Sequence, residues 1–431
     1  MTAALIGLVV LLALLLLRLP LAFAMGLVGV GGFYAITGKL DSSILMGARR
    51  LIDGGMDYAL TVIPLFVLMG NFVARSGLSE SLFRATNGLM GHYRGGQAMA
   101  TVVASGAFSA ICGSSLATVA TMGRVAIPQM ERYGYSPALS SASVAAGGTL
   151  GILIPPSVML VIYGMLTETS VQGLFAAGLF PGILGILLYV CSVIYVVKRR
   201  PEDGPAAPRL PWSERLAVLR SVWPTLLLFV IVMGGIYSGV FTPTEAAGIG
   251  ALGAFIISLC LRSLTVRLVI EIVTETVRTT AALFLIVLTA MIFANFINRA
   301  GLPNDLLALV TDKDIPGWAV LAIIVLIYLV LGCVLESMSM MLLTVPVLFP
   351  VIAGLGYDLI WFGILVVILI EISLLTPPVG MNCFVLRAVA PHIPIGTIFK
   401  GVIPFWCADI VRIGVVLFFP AFVLFLPRLL S

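Results

Sequence analysis

Long apolar runs that nearly abut one another constrain this chain more than any other feature. They cover, approximately, residues 3–17, 21–36, 57–74, 97–130, 137–164, 172–197, 222–239, 245–261, 279–298, 317–350, 357–390 and 397–426. A helix needs about 20 apolar residues to cross the hydrocarbon core of a bilayer, and several runs have that length. The chain is 61% apolar and only 10% charged. Soluble domains sit near half apolar and a quarter charged, so a water-soluble core could not hide this much apolar surface. Lipid replaces the missing core, and the composition implies an all-α polytopic membrane protein. The run 3–17 followed by Ala22-Phe23-Ala24 imitates a secretory signal, yet no positive charge precedes it. We expect it to remain part of the fold.

The net charge of +5 fits basic residues gathered on the cytoplasmic side of a membrane. No nucleic-acid surface is apparent. The six cysteines lie in or beside apolar runs without a C-x-x-C pair, and His92 and His392 are the only histidines. This excludes a thiolate or imidazole metal centre and points to packing roles for the thiols. There is no phosphate loop, no G-x-S-x-G and no H-E-x-x-H. The chain therefore reads as no enzyme. Any transport is driven by an ion gradient, or by ATP bound on another chain.

The halves of the chain repeat. Pro128, Gly134-Tyr135 and Pro155-Pro156 recur as Pro350, Gly356-Tyr357 and Pro377-Pro378, always 222 residues later. Asn71-Phe72-x-x-Arg75-x-Gly77-Leu78 recurs as Asn295-Phe296-x-x-Arg299-x-Gly301-Leu302, and Gly26 and Gly29 as Gly250 and Gly253, at an offset of 224. Ordered matches of this kind mark a duplication. Residues 1–197 and 222–431 form the two repeats, joined by a basic linker, 198–221, whose prolines Pro201, Pro205, Pro208 and Pro211 argue against helix. If that linker is cytoplasmic and run 97–130 is a re-entrant hairpin, about 17 of the 24 basic residues fall inside. The second hairpin, 317–350, then enters from the opposite side. On that assignment the repeats are inverted, and both termini lie outside.

Within each repeat, the overlong runs carry the chemistry. Hairpin 97–130 contains Cys112-Gly113-Ser114-Ser115 and Thr118. Small and hydroxyl residues mid-run favour a turn, which frees backbone groups that must be buried in protein or used on a ligand. Neutral oxygens suit a small hard cation; the same residues would also serve a close helix contact. Run 137–164 breaks at Gly151–Pro156, because two prolines remove two helical hydrogen bonds. Its second half begins at Pro156 or Ser157 with free amides suited to an anion. The alternative is an ordinary proline kink. The second repeat offers hairpin residues Glu336 and Ser337, and run 357–390 breaks through Thr376-Pro377-Pro378-Val379-Gly380-Met381-Asn382. Glu336 and Glu371 are carboxylates inside apolar runs, which are costly and usually functional. Glu336 either aids a cation or a proton, or pairs with Arg299. Glu245 either carries a transport role or stands at a helix N-terminus favoured by the dipole.

Gly106–Thr118, Gly147–Ser157, Thr242–Gly248 and Pro346–Asn382 resemble the large membrane subunit of the tripartite ATP-independent periplasmic (TRAP) transporters, over almost the whole chain. The resemblance implies an elevator-type secondary transporter, with scaffold and transport domains, driven by a sodium gradient. It implies two partners: a small membrane subunit of about four helices, not fused here, and a soluble periplasmic substrate-binding protein. Substrates in the family are organic anions such as C4-dicarboxylates, sialic acids and keto acids, with some sulfonates. By motif, one Na+ site would use Gly113, Ser114 and Ser115 with Gly151 and Pro155. The other would use Glu336 and Ser337 with Thr376, Pro377 and Gly380. Substrate would lie between the tips, near Ser114, Ser115, Thr118, Ser157, Ser337, Gly380 and Asn382. The chain departs from the family in Glu336, where Asp is usual, and in Leu369, where Asn is frequent. Proton coupling through Glu336 or Glu371 is the rival reading. A passive anion channel is disfavoured by the paired broken helices, and a membrane enzyme by the missing catalytic constellation.

Overall fold

The computed structural model describes residues 2–430, and among them every regular element is helical. Among the described residues, six helices are long and apolar enough to span a bilayer: Tyr58–Arg75, Val171–Arg199, Pro243–Cys260, Val266–Arg299, Ser337–Gly354 and Ile395–Phe418. The overlong runs resolve into pairs. The first hairpin is Gly96–Cys112 followed by Ser115–Arg132, and the second is Gly317–Leu331 followed by Ser337–Gly354. The first broken helix is Pro137–Thr149 followed by Val158–Thr167, and the second is Leu359–Ser373 followed by Met381–Val389.

Four departures from the apolar pattern have clear causes. Leu40–Gly55 and Leu78–Met90 are helices that no apolar run marks, because each exposes a polar face. Glu80 and Arg84, one turn apart on the second, lie 3.7 Å from each other at its surface. Run 279–298 is the end of a 34-residue helix, Val266–Arg299, whose first turns are charged. The linker is corrected in part. Its prolines hold 204–211 out of helix, but Trp212–Arg220, beyond the last of them, is helical. Run 397–426 divides at Phe419, because Pro420 disfavours helical geometry in the residue before it.

The two series of helices follow the same order, and they exchange partners. Leu21–Thr37 lies against the last turns of Val266–Arg299, where a Cβ on Gly29 would stand 2.9 Å from the Ile292 side chain. Pro243–Cys260 lies against Val62–Arg75, with Gly250 meeting Met69. The broken helices do the same. The Tyr163 hydroxyl, in the second half of one, donates to the Leu359 carbonyl in the first half of the other (2.7 Å). Asn382 Nδ2 donates in return to the Ala145 carbonyl (3.1 Å). Glycine at the helix crossings lets backbones approach, the usual means of packing helices where lipid removes the hydrophobic drive.

Candidate functional site

The first hairpin turns at Gly113, which has φ 62°, a conformation that favours glycine. Ser114 caps the returning helix: its Oγ accepts from Ala117 N (3.4 Å), and its carbonyl accepts from the Thr118 hydroxyl (2.8 Å). The first broken helix tightens into a 3-10 turn at Leu150–Ile152 before Pro155–Pro156, a cis peptide bond. Ser157 restarts it, donating to the Ile152 carbonyl (2.5 Å) and accepting from Leu160 N (3.3 Å). Tip and break then meet backbone to backbone. A Cβ on Gly151 would stand 2.8 Å from the Ser114 carbonyl, and one on Gly113 would stand 2.9 Å from the Pro156 oxygen.

The second pair repeats this with different chemistry. Glu336 takes the capping place of Ser114, its carboxylate accepting from Ser339 N (3.0 Å) and Oγ (2.9 Å). The second break also holds a cis Pro377–Pro378 bond and ends at Gly380, with φ 45°. Thr376 Oγ1 donates to the Ile372 carbonyl (2.7 Å) and accepts from Trp406 Nε1 (3.1 Å). Tip and break touch through Gly332 against Ser373, and Cys333 Sγ lies 3.5 Å from the Pro377 carbonyl. Pro155 and Pro156 are buried, whereas Pro377 and Pro378 are exposed.

Both tips open onto one cavity of about 310 Å³. Gly113, Ser114, Ser115 and Leu116 line it from one side, and Glu336, Ser337 and Met338 from the other. The first amides of a helix have no intrahelical acceptor. At this cavity they belong to Ser115, Leu116, Ser337 and Met338, so two helix N-termini border one space, and a helix N-terminus favours an anion. Asn71, Glu275 and Thr279 are among its other lining residues. The Glu275 carboxylate is engaged by Arg75 at 2.9 Å.

Other residues singled out in the sequence lie elsewhere. Thr118 and Ser157 are buried, off the cavity, their hydroxyls spent on the local bonds above. Gly151 backs the first tip, Pro155 is buried off the cavity beside Gly178, and Thr376, Pro377, Gly380 and Asn382 do not line the cavity. Glu245 forms a reciprocal cap with Thr242: Thr242 N donates to its carboxylate (2.8 Å), and its own N–H donates to Thr242 Oγ1 (3.3 Å). Arg299 is exposed at its helix end, and among the described residues no ion pair joins it to Glu336.

Glu371 sits in a cluster that the sequence reading missed. Arg412 Nη2 donates to its carboxylate (2.5 Å) and also lies 2.7 Å from Asp409 Oδ1. Tyr189 donates to Asp409 Oδ2 (2.7 Å), and its hydroxyl lies 3.0 Å from that of Thr149. All five residues are fully buried. Thr149 and Glu371 are 222 residues apart, the spacing of the repeat. The missed signal was available, since Asp409 and Arg412 stand three apart within an apolar run. Asn71 was legible only as part of the repeated motif, and Glu275 lay outside every apolar run.

Paired hairpins and paired broken helices that deliver two tips to one cavity between apolar helices fit a multi-pass membrane transporter. The family described as "Tripartite ATP-independent periplasmic transporter, DctM component" matches residues 8–422, and the chain belongs to it. It is 39% identical over 405 residues to the C4-dicarboxylate TRAP transporter large permease protein DctM of Pseudomonas aeruginosa, covering 94% of each chain. It is 34% identical to the sialic acid TRAP transporter large permease protein SiaM of Vibrio cholerae, covering 97% of each. The crystal structure of the YdaH transporter of Alcanivorax borkumensis shares the fold, with a TM-score of 0.62 at 16% identity over 86% of this chain and 87% of that one.

Proposed function

We propose that this chain carries an organic anion across the bacterial inner membrane in symport with sodium ions. The observation that supports this best is the convergence of both hairpin tips, with their free first-turn amides, on one cavity. A substrate carboxylate would lie between Ser114–Leu116 and Ser337–Met338. Two relatives are named for C4-dicarboxylate and sialic acid transport, which favours a carboxylate substrate. One Na+ would sit where the Ser114 and Pro156 carbonyls crowd Gly151 and Gly113, since neutral oxygens suit a hard cation. The other would sit between the Glu336 tip and the Thr376–Gly380 break. In this reading the repeats are inverted, both termini are periplasmic, and the hairpins and broken helices move as one body against the rest. A small membrane subunit and a periplasmic binding protein complete the system, and the binding protein selects the substrate. Coupling arises if sodium and substrate favour the same tip geometry.

Proton coupling is the second reading, and the single carboxylate at a tip, Glu336, favours it. Glu371 is a poorer carrier, because Arg412 already holds it. The test is uptake into proteoliposomes containing this chain, its small subunit and the binding protein loaded with succinate or sialate. Accumulation should require an inward sodium gradient and survive collapse of the pH gradient. Uptake that ignores sodium and follows the proton gradient, with loss in Glu336→Gln, would replace the sodium reading with the proton one.

A further inference from the structure

A basic cavity lies where the last turn of Val171–Arg199 meets the first turns of Ile395–Phe418. It measures about 370 Å³ and is lined by Arg199, Arg200 and Lys400, with Asp203 as its carboxylate. Three cations against one carboxylate leave 3 − 1 = +2. Arg199 stacks over the Tyr195 ring at 4.8 Å. All three cations are exposed, and no ion pair is seen for them among the described residues. Such a charge excess between membrane helices asks for an anion.

An apolar groove of about 440 Å³ continues from this cavity between the same two helices. Tyr195 and Pro404 line both spaces. Leu188 and Cys191 form one wall, and Ile403, Cys407 and Val411 form the other. Ile403 and Val411 are more than half exposed, at 57% and 54%. The helices run in opposite directions, so the groove can be measured twice. Arg199 to Leu188 and Lys400 to Val411 are each eleven residues, about 16 Å at the rise of an α-helix. Half of a hydrocarbon core is about 15 Å. A cationic head thus caps an apolar trough with the depth of one leaflet.

We propose that this site binds an anionic phospholipid from the leaflet on the Arg199 side. The phosphate is held by Arg199, Arg200 and Lys400, with guanidinium forks suited to bidentate contact, and one acyl chain lies along the groove. A soluble anion would leave the groove empty. A zwitterionic lipid would leave the charge excess unmatched. A partner helix would fill the groove with no use for the cations.

Native mass spectrometry of the purified full chain tests this, with phosphatidylglycerol, phosphatidylcholine and inorganic phosphate as probes. One phosphatidylglycerol should persist under activation that strips phosphatidylcholine, and excess inorganic phosphate should not displace it. Arg199→Gln, Arg200→Gln and Lys400→Gln together should weaken its retention by roughly 100-fold, about fivefold per cation near a membrane surface. Arg199→Lys with Arg200→Lys should keep it, which separates lost charge from a misfolded chain. Cys407→Trp, which fills the groove, should also reduce it. Equal retention of both lipids, or full retention in the triple variant, would overturn the proposal. So would displacement by inorganic phosphate with Cys407→Trp neutral, since that describes a soluble-anion site.

Discussion

Gly151 has no side chain, and the first hairpin tip occupies the place where one would be. A Cβ there meets the Ser114 backbone at 2.8 Å, and backbone cannot swing aside as a flexible side chain can. Gly151→Ala should therefore cost about 1–3 kcal/mol by overpacking and push the tip off the break. We expect a lower thermal midpoint and a raised sodium requirement for uptake; an unchanged sodium dependence would detach this contact from ion coupling. Arg412 gives a second prediction. Arg412→Met strands the Glu371 and Asp409 carboxylates in a buried site, and breaking such a pair costs about 3–5 kcal/mol. Replacing all three with apolar residues of similar size should recover most of that, because nothing charged is then left unpaired. Thermal unfolding of both variants in nanodiscs checks it. The carboxylates in apolar runs were legible as exceptional; that Glu371 meets Arg412 and Asp409 was not. The residues are 41 and 38 positions apart, and only packing of Leu359–Ser373 on Ile395–Phe418 joins them.

At the scale of elements, helices stop at Cys112 and Leu331 and restart at Ser115 and Ser337, and each Pro-Pro pair lies between two helices. Glycine at positive φ, N-caps and Pro-Pro pairs act through their own backbones, so their effect is local. Amphipathic helices escaped because half their surface is polar, as with Leu40–Gly55 and Leu78–Met90. Glu245 is decided at this scale as well. Its carboxylate and the Thr242 hydroxyl satisfy each other's backbone N–H groups at the start of Pro243–Cys260. Thr242→Ala should cost about 1 kcal/mol, the usual value of an N-cap. Thr242→Ala and Glu245→Gln should both lower the thermal midpoint while leaving the sodium-to-substrate ratio of uptake as it was. A changed ratio in either would give Glu245 a part in transport.

The whole molecule is organised by exchange between its halves: Leu21–Thr37 on the end of Val266–Arg299, Pro243–Cys260 on Val62–Arg75, and each broken helix on the other. The proposed transport cycle requires one body made of hairpins and broken helices to move against a frame made of the remaining pairs. After replacement of the six free cysteines, thiol pairs test this. Met69→Cys with Gly250→Cys joins two frame helices, and removal of the Met69 thioether makes the room; cross-linking there should spare uptake. Asn71→Cys with Ser115→Cys joins a frame helix to a tip across the cavity, and bridging it with a bifunctional thiol reagent should stop uptake reversibly. Transport that persists with the second pair bridged would rule out relative motion of the two bodies.

The apolar runs, the Pro-Pro pairs and their 222-residue spacing pointed without coordinates to helices in a membrane, two related halves, and an interruption in each. These follow from rules that act over a few residues, namely helix hydrogen bonding, proline geometry and the cost of apolar surface in water. The tertiary structure decided which interruptions line the cavity and which do not. It brought Ser115 and Ser337 to one space from segments 222 residues apart and added Asn71 and Glu275 beside them, whereas Thr118, Ser157 and Glu245 are spent on bonds within their own helix ends. It also made the two Pro-Pro breaks unequal, one buried against a serine cap and the other exposed near a glutamate cap. That assignment depends on how helices distant in sequence pack together, and no local rule encodes it.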